Sequence, residues 1–363
     1  MKTILSTIFL SLLILHGSWA LAADQGAYSP PDFDPGLTSS DSPAVSWHGY
    51  YEFEFLNAEG KRSTFDAHKI TVWMGAKLGP RAYISSEVEY EHAPQLAGTS
   101  GSGNIKVDSA QLHLALTGPL AANFGVFYVP FGIEYLSYPG HLNKLITRPK
   151  AMKGGGVIPG TWSDVGAGVT IGLGPVGVLD LYAVNGDAYH GRVTLDSAEG
   201  GNESKTLGAR VMIDKLLPGL NVGASIAEGK WDDASKLSSG RVGAHLRLDL
   251  DALTGAPLAP VIIGEWVAGL DENSSAIEGK DKKVGGYYVQ ASSRILPQFE
   301  VVARYGAYDN DGSVKNNARA EASVGAVLLA MERVRLKVEY QVNSETGDKI
   351  KNDLLAFQIA ANW

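Results

Sequence analysis

The sequence contains no cysteine among its 363 residues, so it has neither a disulfide framework nor a thiolate metal site. Basic residues are the minority: 31 Lys and Arg stand against 39 Asp and Glu. The resulting net charge of −8 argues against nucleic acid as a partner. The eight histidines are scattered, without an H-E-x-x-H motif or an i, i+4 pair. We therefore expect no bound metal, no cofactor and no catalytic residues.

Long apolar runs are also missing. No segment after the first 23 residues approaches the 18 consecutive apolar residues of a membrane-spanning helix. The start of the chain instead has Lys2, an apolar stretch from Ile4 to Leu15 and small residues at 20, 22 and 23. This pattern is typical of a signal peptide over residues 1–23, and the apolar stretch is too short to make a membrane anchor the better interpretation.

Residues 24–45 are rich in Pro, Ser and Asp and carry too little apolar surface to order themselves, so we interpret them as a linker. From residue 46 to residue 363 the dominant period is two, which is typical of strands with two different faces. In the first such segment, Trp47, Phe53 and Phe55 share one face, whereas Glu52 and Glu54 share the other. A soluble sandwich would show the same alternation.

The connections separate the two possibilities. Short turns containing Gly or Pro, such as Gly79-Pro80 and Gly118-Pro119, alternate with longer polar loops, as in bacterial outer-membrane barrels. Sixteen strands are predicted, an even number that places both ends of the barrel domain on the periplasmic side. Their predicted ranges are 46–56, 64–78, 81–92, 105–117, 120–130, 163–173, 176–186, 204–216, 219–230, 237–250, 261–270, 284–295, 298–308, 318–329, 332–342 and 352–363.

The last predicted strand supports the same interpretation. Leu355, Phe357, Ile359, Ala361 and Trp363 alternate along it and are expected to face lipid. A final strand of this kind, ending in an aromatic residue, resembles the membrane-insertion signal of bacterial outer-membrane proteins, with Phe357 and Trp363 as its key residues. An ordinary edge strand that happens to end in Trp is the alternative. We expect an all-β transmembrane barrel in the outer membrane of a Gram-negative bacterium, in contact with its lipid.

Charged residues on the polar face are unevenly distributed. Early strands contribute acids, and later strands contribute bases, a separation that would create a transverse field across a water-filled lumen. The alternative is that these charges only hydrate the lumen and pair with neighbours. The channel-lining candidates on the strands are Glu87, Glu89, Glu91, Arg241, Arg247, Arg294, Arg304, Arg333, Arg335 and Lys337, beside Glu52, Glu54 and Arg210. The row Arg333, Arg335 and Lys337, predicted on one strand and one face, suggests contact with a passing anion.

The longest loop, residues 131–162, follows the fifth predicted strand and is the third loop on the open side. A loop of this length is usually functional or disordered. Its basic residues are Lys144, Arg148, Lys150 and Lys153, against a single acid, Glu134. The glycines at 154–156 would allow a sharp fold. We interpret the loop as a basic constriction of the lumen; a mobile surface loop is the alternative.

Several of these segments resemble the phosphate-selective porin O and P-like channels. The similarity lies in 48–52, 65–69 and 86–92, and in 125–132 followed by Arg148-Pro149. It covers the first half of the chain and continues in the second half as a general strand pattern. The resemblance implies a sixteen-stranded barrel, assembled as a homotrimer, that passes small solutes without catalysis. It implies phosphate only weakly, because the lumen mixes acids with bases.

These observations predict a water-filled porin for passive diffusion of small hydrophilic solutes or inorganic anions, with a leaning toward phosphate-like anions. Two alternatives stay open: a barrel-embedded hydrolase, and a structural or adhesive barrel with a plugged lumen. A hydrolase needs a Ser–His–acid cluster, which the sequence does not suggest.

Overall fold

The computed structural model describes residues 45–92, 103–153, 157–192, 203–214, 216–256 and 258–363. The predicted signal peptide and the glycines at 154–156 lie outside the described residues. So does the predicted linker, apart from Val45.

The described residues form sixteen strands in one closed antiparallel barrel. Each strand pairs with its neighbours in the chain, and β1 closes the barrel by pairing with β16. The predicted strands are confirmed, and their ends agree within three residues. The strands are β1 Val45–Ala58, β2 Thr64–Gly79, β3 Ala82–Glu91, β4 Asn104–Ala115, β5 Leu120–Tyr128, β6 Ser163–Gly172, β7 Gly177–Val184, β8 Thr206–Ile213, β9 Leu220–Lys230, β10 Ser238–Asp249, β11 Val261–Asp271, β12 Lys282–Leu296, β13 Phe299–Asp309, β14 Arg319–Met331, β15 Val334–Glu345 and β16 Leu354–Asn362.

Helices occupy only short connections in the described part of the chain. Helix α1 (Glu134–Ser137) lies between β5 and β6, and helix α2 (Leu250–Thr254) lies in the turn between β10 and β11. The Asp249 carboxylate caps α2 by accepting a hydrogen bond from the Ala252 N–H. No helix among the described residues is long and apolar enough to cross a membrane.

The two faces of β16 show how the barrel separates its apolar outer surface from its interior. Phe357 and Ile359 are 46% and 44% exposed on the outer surface, whereas Ala356 and Gln358, which alternate with them, are buried toward the inside. The Phe55 ring of β1 lies 6.2 Å from the Phe357 ring, across the β1–β16 pair that closes the barrel. A closed sheet leaves no unpaired strand edge, so an apolar outer face of this kind is compatible with the interior of a bilayer.

Residue 363 completes this seam. The Trp363 backbone exchanges two hydrogen bonds with Gly49 on β1, with N···O distances of 3.0 and 3.3 Å. The Trp363 ring covers Gly49 so closely that a Cβ atom there would lie 2.5 Å from Cζ2 of the ring. Trp363 is therefore joined to β1 by both its backbone and its side chain.

Candidate functional site: the lumen and the third loop

The described residues of the connection between β5 and β6, 129–153 and 157–162, fold into the barrel; we call this connection the third loop. Its apolar residues Phe131, Ile133, Met152, Val157 and Trp162 are buried in a cluster with inward-facing residues of the wall. The wall residues of this cluster include Val184 on β7, Ala227 on β9, Ile263 and Val267 on β11, and Val284 and Tyr288 on β12. Apolar side chains at lumen-facing positions are stable there because the loop removes them from water.

A glycine permits the loop's entry into the lumen. Gly132 has a φ of +64°, a conformation that favours glycine, and a Cβ at this position would collide with the Glu265 carboxylate of β11. The Gly132 N–H donates to the Ser225 hydroxyl at 3.0 Å, and its carbonyl accepts from Arg210 at 3.1 Å. The Ile133 N–H donates to Glu265 at 3.3 Å. Three strands, β8, β9 and β11, thus fix the first turn of the loop.

The Glu339 carboxylate of β15 holds the middle of the loop. Its Oε2 accepts hydrogen bonds from the N–H groups of Ile146 and Thr147, both at 2.7 Å, and its Oε1 accepts one from the Thr147 hydroxyl at 2.6 Å. Arg304 on β13 donates to the Thr147 carbonyl, also at 2.7 Å. Glu321 on β14 accepts from the Lys150 N–H at 2.9 Å. These charge-assisted bonds fix the loop against β13–β15.

Two of the predicted selectivity residues also bind the loop backbone. Arg335 donates to the His141 carbonyl at 2.7 Å, and Lys337 donates to the Gly140 carbonyl at 3.0 Å. Arg333, the third member of the predicted row, lies in the turn before β15, which begins at Val334. The prediction of one row on one strand was therefore wrong at Arg333. For the other two, the backbone carbonyls supply a structural reason for the adjacent positive charges.

Other predicted lumen bases are paired with acids. Arg210 binds Asp180 at 2.9 Å, Arg241 binds Asp271 at 2.7 Å, and Arg304 lies 3.5 Å from Glu321. Arg247 contacts Asp249 at 3.3 Å, whereas Arg294 is exposed near the tight-turn end of β12. Arg210, Arg241 and Arg304 are almost completely buried with their partners, which reduces the charge that they present to a passing solute.

The acidic candidates border a narrow space between the loop and β1–β5. This cavity of about 50 Å³ is lined by Glu87, Glu89, Glu91 and Asp108 from the wall, and by Tyr135, Pro139, Arg148 and Thr161 from the loop, beside Tyr50, Lys69 and Tyr128. Lys69 binds Glu89 at 2.9 Å, and Lys106 binds Glu91. We call this cavity the narrow passage; four acids and the two cations Lys69 and Arg148 line it, and Lys106 pairs with one of the acids, Glu91.

Arg148 is the basic residue that the loop presents to this passage. It binds Glu134 of α1 at 3.1 Å, and its guanidinium lies 4.3 Å from the centre of the Tyr135 ring. The two contacts fix the direction of the side chain. Of the other loop bases, Lys144 binds Glu300 at 2.5 Å, and Lys150 donates to the Asn343 side-chain oxygen at 2.5 Å.

A wider cavity of about 230 Å³ lies at the long-loop end of the barrel, next to the passage. Its charged lining consists of Lys61, Arg148, Lys150 and Lys153 with the single acid Glu59. The predicted basic character of the third loop is thus concentrated at this mouth, whereas the narrow passage beneath it is acidic.

His141 lies where the loop meets the wall, with its ring 4.4 Å from the Tyr50 ring. Burial, together with the nearby Arg335 and Lys337 charges, lowers the pKa of His141 to about 3. The imidazole is therefore neutral at neutral pH. Its Nδ1 is buried without a hydrogen-bond partner in the described structure.

The acidic residues that fix the loop were missed as anchors at the sequence level. Glu265, Glu321 and Glu339 stand out in the sequence as isolated acids among the bases of the later strands. That contrast was the available signal, because a lone acid on a basic face suggests a specific donor. The donors to these three acids, however, include backbone N–H groups up to 193 residues away in the chain. No local sequence pattern identifies such donors.

No protein-family profile matches the sequence, and no curated protein matches it. Solved structures with similar folds do exist. OmpF of Salmonella typhi superposes with a TM-score of 0.64 at 12% identity over 88% of this chain and 97% of its own. The outer-membrane channel DcaP of Acinetobacter baumannii gives 0.61 at 15% identity, over 90% and 99%. An anion-selective porin from Comamonas acidovorans gives 0.59 at 14% identity, over 89% and 100%.

The chain thus has the fold of outer-membrane porins, a closed sixteen-stranded antiparallel barrel with a long loop inside. The predicted fold class is confirmed. With its apolar outer face, this fold also agrees with the predicted location in the outer membrane of a Gram-negative bacterium. The finer resemblance to phosphate-selective channels stays a prediction.

Proposed function

We propose that this protein is a porin, a water-filled channel through which small hydrophilic solutes and ions diffuse passively across the outer membrane. The observation that carries the proposal is the path of the third loop. It packs against the inner face of β7–β15, reaches β1 where His141 meets Tyr50, and leaves a narrow polar space beside β1–β5. A polar lumen narrowed by an anchored loop restricts solute size and exposes passing ions to fixed charges.

The direction of ion selectivity follows from which charges are available to a passing ion. The sequence predicted a leaning toward phosphate-like anions, and the basic mouth with Lys61, Lys150 and Lys153 supports that prediction. The acidic excess of the narrower passage supports the opposite preference. Because fixed charges act most strongly on an ion at the narrowest part of its path, we propose that the channel favours cations and that the mouth moderates this preference.

Conductance is the direct test of a porin. The purified, folded protein in planar bilayers should give stepwise current increases whose size rises with salt concentration. A bilayer that stays closed under folded protein would overturn the channel proposal and would favour a structural or adhesive barrel with a plugged lumen.

Selectivity is tested by reversal potentials in a potassium chloride gradient. Replacing Glu87, Glu89 and Glu91 together by Gln should move the reversal potential toward anion preference. Glu332→Gln is the matched control, because Glu332 is an exposed acid in the tight turn between β14 and β15. A wild-type protein that already prefers anions would contradict the cation proposal and restore the preference predicted from the sequence.

One contact favours the hydrolase alternative. The Ser85 hydroxyl lies 2.9 Å from Nε2 of His113 inside the barrel, the relation of a nucleophile to its base. The His113 ring, however, stacks on Tyr83 at 4.0 Å, and no described carboxylate is hydrogen-bonded to it. We therefore propose a channel without catalysis. Esterase activity that the folded protein shows and Ser85→Ala abolishes would contradict this.

The proposed assembly is a homotrimer in the lipid of the outer membrane, as the resemblance of the first hairpins implies. A mass measurement of the detergent-solubilised protein, corrected for bound detergent, distinguishes one copy from three.

A further inference from the structure

A second group of polar side chains lies at the long-loop end of β1–β3, apart from the third loop. It consists of Glu54 on β1, Asp66 and His68 on β2, and His92 directly after β3. The two histidines are 24 residues apart in the sequence, so no local motif connects them. Antiparallel pairing brings them together, because Glu54 pairs with Asp66 and the His92 N–H donates to the His68 carbonyl at 2.8 Å.

A register shift between β1 and β2 places Asp66 and His68 on the face of the sheet that carries Glu54. The register between β1 and β2 shifts between Glu52 and Glu54, so that Glu52 pairs with Lys69 and Glu54 pairs with Asp66. Such a bulge inserts an extra residue into one strand and redirects a side chain. Residues two apart in a strand share a face, and the shift places the pair Asp66 and His68 beside Glu54, with His68 Nδ1 near both carboxylates.

The polar atoms of Asp66, His68 and His92 are close enough to share one ligand, and Glu54 lies beside His68. His68 Nδ1 lies 3.5 Å from Asp66 Oδ2 and 3.9 Å from Glu54 Oε2, and His92 Nδ1 lies 2.8 Å from Asp66 Oδ2. The ligand atoms of Asp66, His68 and His92 all lie within 4.8 Å of one another. Around a tetrahedral zinc ion with bonds of about 2.0–2.2 Å, ligand atoms are separated by roughly 3.3–3.6 Å. Small rotations of the side chains would reach that arrangement.

The chemistry of the group selects among metals. Imidazole nitrogens with carboxylate oxygens suit Zn²⁺ and neighbouring transition metals, whereas Ca²⁺ and Mg²⁺ require shells made of oxygen ligands. A second layer of contacts is also present, because Gln358 donates to Glu54 Oε1 at 2.7 Å and leaves Oε2 directed at His68. Such outer contacts orient metal ligands.

Access and rigidity also fit a metal site. The His92 side chain is 51% exposed, so an ion can enter from the mouth, while the Glu54 and Asp66 side chains are 6% and 18% exposed. Three of the four residues lie on paired strands, a support that holds ligand positions better than a loop does.

We propose that Asp66, His68 and His92, with Glu54 as a fourth ligand, bind one divalent transition-metal ion of the Zn²⁺ class at the extracellular mouth of the barrel. The site is independent of what passes through the lumen. Its affinity should fall as the pH is lowered and the imidazoles become protonated, because the metal requires their neutral form.

The experiment is a calorimetric titration of the untagged, folded protein in detergent with Zn²⁺, and in parallel with Mg²⁺ and Ca²⁺. One equivalent of Zn²⁺ should bind, and the other two ions should not bind at the same concentrations. His68→Ala, His92→Gln and Asp66→Asn should each lower the Zn²⁺ affinity at least ten-fold. His92→Gln tests the proposal even if another variant folds poorly, because His92 is half exposed and follows the end of β3.

The matched control is His190→Ala. His190 forms the same kind of contact, with its Nδ1 3.1 Å from Asp187 Oδ2, but on a different loop and without a second histidine ligand. This variant should bind Zn²⁺ like the wild type. Absence of Zn²⁺ binding by the wild type would overturn the proposal. So would an unchanged affinity in both His92→Gln and Asp66→Asn, or a loss in His190→Ala as large as theirs.

Discussion

The Glu339 carboxylate and Thr147 are joined by two hydrogen bonds, one from the Thr147 N–H at 2.7 Å and one from its hydroxyl at 2.6 Å. The two residues lie 192 positions apart in the chain. This contact attaches the middle of the third loop to β15, and Thr147 also lines the wider cavity at the mouth. The loop is therefore part of the barrel's folded interior, and its stability should be measurable separately from that of the strands.

Glu339→Gln should loosen the loop without dissolving the barrel. The substitution removes the charge that strengthens three hydrogen bonds to the loop and leaves Arg304 without one of its two acidic neighbours. Hydrogen bonds to charged groups contribute about 1.5–3 kcal/mol each, so the loop loses several kcal/mol at most. We expect noisier single-channel currents and faster cleavage of the loop by added protease.

Glu332→Gln is the control, because it removes an exposed acid from the turn before β15. If the currents of Glu339→Gln were as quiet as those of the wild type, the anchoring role of Glu339 would be contradicted.

Arg335→Met and Lys337→Met should act on the loop more than on ion selectivity. Each removes a donor to a loop carbonyl, at His141 and Gly140 respectively, and leaves that carbonyl without this donor. Both variants should raise the open-channel noise. Arg333→Met, in the turn, should leave it unchanged. If Arg333→Met shifted the reversal potential as strongly as Lys337→Met, the three bases would act together as the sequence predicted.

The strands were predictable because their signal is local. Apolar and polar residues alternate along the strands, and glycine or proline marks every tight turn except the one between β14 and β15, so sixteen strands follow from neighbouring residues alone. The outward face of Phe357 and the closed barrel follow in the same way.

The interior was only partly predictable, because it depends on contacts between distant residues. The sequence identified the third loop as a constriction by its length and charge. It did not identify Glu339, Glu321 and Glu265 as its anchors, and it assigned Lys337 to anions although that residue binds a carbonyl. In a lumen, a charged side chain can contact a passing solute or bind the loop. The residue type is the same in both cases, so the sequence does not distinguish them.

Dependence on contacts between distant residues also explains why the proposed metal site was not predicted. His68 and His92 have no sequence relation that suggests a ligand pair, and the sequence therefore predicted no metal. The register of β2 and β3, together with the bulge in β2, determines their proximity. Neither the register nor the bulge can be predicted from the periodicity of the sequence.

Acid should loosen the third loop through His141. The pKa of this buried imidazole is about 3, below the usual value of 6.5 for an exposed histidine, so the unfolded loop binds the proton more readily than the folded loop does. The stability that comes from the neutral imidazole is complete above about pH 6.5 and is lost progressively as the pH falls toward 3. Open-channel noise should therefore increase between pH 7 and pH 4.

His141→Gln provides the comparison, because glutamine fills part of the same space and does not titrate. The acid-dependent increase in noise should be smaller in this variant than in the wild type. Carboxyl groups also titrate in this range, so the difference between the two proteins is the relevant quantity. An identical pH dependence would assign the acid response to groups other than His141.

Gly49→Ala should impair closure of the barrel at the seam between β1 and β16. A Cβ at this position would lie 2.3 Å from the Thr71 carbonyl oxygen and 2.5 Å from the Trp363 ring, so both the backbone of β2 and the terminal indole would have to move. We expect a lower yield of folded barrel and a thermal unfolding midpoint below that of the wild type, measured by heat-dependent migration on gels. Gly79→Ala is the matched control, because a Cβ at Gly79 meets no atom within 4 Å. If both variants folded equally well, the contact between Gly49 and Trp363 would have no part in closing the barrel. A loss confined to Gly49→Ala would show that the seam requires a residue without a side chain at position 49.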